Sequence, residues 1–162
     1  MMPYSDNLRA DIARTDRHIS DLSDQLNVTK QNLNRLRELL SYVCQKQNSF
    51  LDEQGRRQSS FNKIWQDCAN CHCAVGYSNV MGDILFGNAP NNVAGAYSEG
   101  IQSVNRGIQK AEEEIGDLQR SIASAKDYRA DQVNHLQRVV AEEQWEAQQE
   151  AKKAAMRARG EW

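Results

Sequence analysis

The chain has 162 residues, a net charge of −2, an apolar fraction of 40% and an aromatic fraction of 7%. Acidic and basic residues are interleaved without a basic block, which excludes the electrostatic footprint of a nucleic-acid binder. No window approaches the roughly 18–20 apolar residues that span a bilayer, so no membrane span is expected.

Ala, Glu, Gln, Lys, Arg and Leu dominate, and the only prolines are Pro3 and Pro90, a mixture typical of long helices and coiled coils. The first element opens after Pro3, where Ser5 or Asp6 supplies an N-cap. From Leu8, alternate steps of four and three reach Ile12, Thr15, Ile19, Leu22, Leu26, Thr29, Leu33, Leu36, Leu40, Val43, Gln47 and Phe50. Ten of these thirteen positions are large and apolar, and polar residues fill the intervals, so the stretch reads as a heptad seam. The same stepping continues through Gln54, Arg57, Phe61, Ile64, Cys68, Cys71 and Val75. It weakens beside Gly55, where a kink or break is expected, and the helix is placed at about residues 5–75.

Residues 76–92, GYSNVMGDILFGNAPNN, hold three glycines, a proline and four asparagines, which is turn chemistry. Leu85, Phe86 and Gly87 are expected to set the turn, and Val80, Met81 and Ile84 to cap the end of the structure. A second helix is placed at about 93–140. Its seam runs Val93, Tyr97, Ile101, Val104, Ile108, Ala111, Ile115, Leu118, Ile122 and Ala125. Beyond Ala125 the register slips through Arg129 to Val133, Leu136 and Val140, a stutter that unwinds a supercoil locally. Residues 141–162 read as a charged tail, helical or frayed, with Trp145 and Met156 as its large apolar residues.

Two amphipathic segments joined by one loop define an all-α fold: a long antiparallel helical hairpin, residues 4–140. Thr15, Thr29, Gln47, Ala111 and Ala125 thin the stripe on each arm, so a partner that completes a bundle would stabilise it. The partner-binding residues are then expected along the seams: Leu22, Leu26, Leu33, Leu36 and Leu40 on the first arm, and Ile101, Val104, Ile108, Ile115, Leu118 and Ile122 on the second.

The string CANCHC places Cys68, Cys71 and His72 at i, i+3 and i+4, on one helical face within reach of a single ion. Thiolates and an imidazole suit tetrahedral zinc. The string also contains the Cys-x-x-Cys-His of c-type haem attachment, but haem needs an apolar pocket and an oxidising compartment, and both thiols lie in a helix seam. The remaining cysteine, Cys44, lies 24 residues before Cys68, about 36 Å along a straight helix. The adopted reading is that Cys68 and Cys71 are small apolar seam residues and no cofactor is bound; zinc at Cys68, Cys71 and His72 is the alternative. His18, His135 and the run Glu112–Glu114 read as solvated helix surface. No Ser/His/Asp grouping, phosphate-binding loop, dinucleotide fingerprint or paired-carboxylate motif is present, so an enzyme is not expected.

The stretch Leu85-Phe86-Gly87, followed by Ala89, Val93 and Tyr97 and by a new heptad, resembles the central turn of the WXG100 superfamily of helical hairpins. The first arm, YSDNLRADIARTDRHISDLSDQL, is similar in texture to longer YwqH-like helical proteins associated with LXG-domain toxins. The resemblance covers roughly residues 4–140. Leu85 stands where the signature has Trp, and the fourth residues after Tyr97 and Tyr128 are Ile101 and Gln132, so no Tyr-x-x-x-Asp/Glu export signal is present there. The resemblance implies a targeting or chaperone subunit of bacterial type VII secretion. Such a subunit packs against the helical N-terminal domain of an LXG-type toxin, or against a second small helical protein that supplies the export signal. The opening stretch MMPYSDNLRADIAR lacks the apolar core of a signal peptide, which implies a cytoplasmic chain or one exported by a leaderless type VII route. A metal-binding coiled coil and a homo-oligomeric structural coiled coil are the alternative readings.

Overall fold

The computed structural model describes residues 4–68 and 72–159, with side chains at 4–67 and 75–159. Three helices account for them: α1 Tyr4–Cys68, α2 His72–Phe86 and α3 Asn88–Arg159, with only Gly87 between the last two. The fold is an all-α helical hairpin in which α2 and α3 form one bent arm, and there is no strand among the described residues.

The heptad reading of α1 is visible in its burial. Every seam position from Leu8 to Gln54 is buried or half-buried, and the helix runs through Gly55 without the expected break. The seam changes character only at Arg57, which is exposed, while its neighbour Gln58 turns inward. Two helices cover a narrow stripe of each other, so no large side chain among the described residues is completely buried.

The chain divides into two compact units. In the first, Met1–Thr29 with Glu114–Trp162, α1 and α3 run antiparallel around Leu8, Ile122 and Val139, each less than a tenth exposed. After Ala125 two frames face inward in α3. Arg129, Val133, Leu136 and Val140, the expected slipped frame, are half-buried; Gln132 and Glu143 of the unbroken alternation are half-buried as well, and its Val139 is buried. Three polar residues lie in the unbroken frame. Each has a partner on α1: Arg129 bonds Asp16, Gln132 Oε1 accepts from Thr15 Oγ1 at 3.4 Å, and Glu143 Oε1 accepts from the Ser5 amide at 3.3 Å. Tyr4 and His135 meet edge to face with centroids 5.9 Å apart.

In the second unit, Lys30–Glu113, the core comprises Leu33, Leu85, Ala111 and the small polar Ser78. Arg37 Nη2 reaches Glu112 Oε1 at 2.8 Å, and Phe50 tilts against Tyr97 with centroids 6.0 Å apart. The glycine- and asparagine-rich stretch expected to be a turn at 76–92 is helical on both sides of Gly87. A glycine in a helix interior costs about 1 kcal/mol relative to alanine. Packing overrides that cost here: Ser78, Met81 and Leu85, at i, i+3 and i+7, turn one face of α2 inward onto α1. α2 runs antiparallel to α1, so Leu85–Gly87 lies at a bend between two helices of one arm and is not the turn expected to set the hairpin.

Gly87 marks the bend between α2 and α3. Its amide donates to the Asp83 carbonyl at 3.0 Å, and a Cβ at this position would lie 2.1 Å from that oxygen. Pro90 explains why the helical ladder restarts here. It has no N–H to give to the Phe86 carbonyl, and the first turn of a helix is where that loss costs least.

Candidate docking surface

The end of α2 leaves carbonyls that its own ladder cannot satisfy. One of them, the Leu85 oxygen, accepts from the side-chain amide of Gln58 at 2.8 Å and from that of Gln54 at 3.3 Å. These two glutamines replace apolar residues in the seam of α1 where α2 gives way to α3. They hold the bend against α1 while Phe61 and Phe86 pack edge to face at 5.9 Å beside it.

The eleven seam residues expected to bind a partner lie on the inward stripes of α1 and α3. Leu22, Leu26, Ile115, Leu118 and Ile122 belong to the first unit, and Leu33, Leu36, Leu40, Ile101, Val104 and Ile108 to the second. None is exposed. The hairpin therefore uses this stripe within itself.

The exposed apolar surface lies elsewhere. Apart from its terminal His72 and from Asp83, α2 carries no ionisable acid or base other than Cys73 and Tyr77, and only one of its faces packs on α1. Val75, Tyr77, Val80, Ile84 and Phe86 remain between 41% and 62% exposed, and Ile64 of α1, also exposed, lines a cavity with Tyr77 and Ile84. A helix apolar all round is ordinarily covered on every side. The signal was present in the sequence as two interleaved sets, Ser78–Met81–Leu85 facing in and Tyr77–Val80–Ile84 facing out. The glycines and asparagines around them pointed to a loop instead. Of the expected turn residues, Leu85 is buried, Phe86 half-exposed and Gly87 at the bend.

Along the same flank, two cavities of about 520 and 430 Å³ open between α1 and the bent arm. Phe50, Val93 and Tyr97 line one, Phe61, Ile64 and Tyr77 the other, and Ile84 and Leu85 belong to both. Lys46, at the edge of the first cavity, sits over the Tyr42 ring at 5.3 Å.

The metal-site candidates Cys68, Cys71 and His72 lie outside the described residues or side chains. Among the described residues, no group of three His, Cys, Asp or Glu could hold a metal ion. Cys44 is a half-buried free thiol. Among the described residues, the Arg129 guanidinium is raised above its ordinary value by its hydrogen bond to Asp16 and then by that carboxylate's charge. The pair joins α1 to α3. No described helix is long and apolar enough to cross a membrane.

The fold and this surface together define an all-α hairpin with an apolar flank. No family model matches the chain, and no curated protein or solved structure matches it.

Proposed function

We propose that the chain is a non-enzymatic helical adaptor that binds another helical protein, acting as a chaperone or targeting subunit for the helical N-terminal domain of a type VII-secreted LXG-type toxin. The observation that carries the reading is α2. It is fifteen residues long, nearly devoid of charge, and covered by the rest of the chain on one face only. Exposed contiguous apolar surface rimmed by polar residues marks sites of protein association. The all-α antiparallel hairpin supports the narrower assignment to type VII secretion. In that role the chain is cytoplasmic until it leaves with its cargo.

The test is co-expression with the helical N-terminal domain of an LXG-type toxin. Co-elution as one complex, with a raised melting temperature for both chains, is the expected result. Separate elution, with this chain a stable folded monomer, removes the basis for the reading.

A further inference from the structure

We propose that the groove between α1 and the α2–α3 bend receives one amphipathic helix of another polypeptide, about 18 residues long, whose apolar stripe is flanked by acidic side chains. This rests on the adaptor reading and adds to it the place of docking and the charge of the partner.

The two cavities share Glu53, Arg57, Ile84 and Leu85, so they join end to end into one groove. On α1 the groove runs from Lys46 to Ile64, eighteen helical steps and about 27 Å at the helical rise. That is about five turns of an incoming helix. Apolar residues line it, and Ile64, Tyr77, Ile84 and Val93 stand 42–56% exposed along it, open to the apolar face of an incoming helix.

The rim decides the partner's chemistry. The charged residues lining the groove are Lys46, Arg56 and Arg57 against the single carboxylate Glu53. Arg57 Nε is paired with Glu53 at 2.9 Å, which leaves the positive field of Lys46 and Arg56 over an apolar slot. The local sign is opposite to the net charge of the chain, −2. A second copy docked groove to groove would bring the same cations together, whereas an acidic helix would neutralise them. Complementary rim charge acts mainly on partner choice and association rate.

The test uses two labelled peptides of about 18 residues with one Leu/Ile stripe, one flanked by Glu and the other by Lys. Each is titrated with the full chain by fluorescence anisotropy. The expected result is that the Glu peptide binds at least about tenfold tighter, and that the gap closes in about 0.5 M salt. Ile84→Asp should abolish binding and Lys46→Glu with Arg56→Glu should reverse the preference, with helical content and melting unchanged in both variants. Equal binding of the two peptides, binding of neither, or a preference unmoved by the charge reversal would overturn the inference. So would sedimentation showing a stable dimer that Ile84→Asp splits, since a second copy would then fill the groove. A natural helical partner that still co-elutes with both variants would overturn this inference and leave the adaptor reading standing. Failure of that partner to bind the wild-type chain would remove the adaptor reading itself.

Discussion

Gln58 and Gln54 converge on one acceptor, the main-chain carbonyl of Leu85, at 2.8 and 3.3 Å. A buried carbonyl at a helix end is costly to leave unmatched, and here two side chains from the neighbouring helix supply its partners. Gln58→Ala is expected to cost about 1 kcal/mol in thermal or urea unfolding. Gln54→Ala, with the longer bond, should cost less. Because the two share an acceptor, the double variant should lose more than the sum of the singles, which a double-mutant cycle will measure.

Gly87→Ala tests the bend. The added methyl would lie 2.1 Å from the Asp83 oxygen, which is backbone and cannot swing aside. The expected loss is roughly 1–3 kcal/mol. It should come with weakened protection of α2 amides in hydrogen exchange, while those of residues 8–26 stay as protected as in the wild type.

Gly107→Ala should act in the opposite direction. A Cβ there meets the Leu36 methyls at 3.6 and 3.7 Å, ordinary contact distance. The helix gains alanine's propensity and the seam gains a methyl, so stability should rise by about 0.5–1 kcal/mol in urea titration.

Leu33→Ala and Leu39→Ala separate the seam from the surface. Leu33 is 7% exposed and Leu39 45%. The first substitution should cost about 2–4 kcal/mol, the second under about 0.5 kcal/mol. Equal losses would mean that the inward stripe is not where α1 is covered.

Asp16→Asn removes the partner of Arg129. Both side chains are more than 40% exposed, so the melting temperature should fall modestly, and the difference from wild type should fade in about 0.5 M salt. The sign with pH follows from the guanidinium. Its folded value is raised above the ordinary guanidinium value, so its share of the stabilisation is fully present below the ordinary value and lost only above the raised one. The difference between wild type and variant should therefore be flat from about pH 6 to 9.

The arms were legible because a heptad announces itself through spacing alone, and Leu8 to Gln54 turned inward as the stepping required. The bent end was not. Gly76, Gly82 and four asparagines carry strong local turn preferences, but Ser78, Met81 and Leu85 find a surface on α1 that outweighs them. The seam beyond Ala125 was legible only in part, for a related reason. Stepping by hydrophobicity skips an inward Arg129 or Gln132, whose suitability depends on Asp16 and Thr15 more than a hundred positions away. The exposed apolar face of α2 was hidden by the same step: once residues 76–92 read as a loop, Tyr77, Val80 and Ile84 had no common face.

The polar contacts between α1 and α3 in the first unit have a consequence for alignment. Repeating leucines and isoleucines match almost equally well if one rod slides past the other by seven residues, because every hydrophobe meets another of its kind. Thr15 with Gln132, and Asp16 with Arg129, have no such substitute. A seven-residue slide would set Asp16 against Ile122 or Leu136 and Arg129 against Ser23 or Arg9, so these few hydrophilic pairs favour a single register from a ladder of near-equivalent ones.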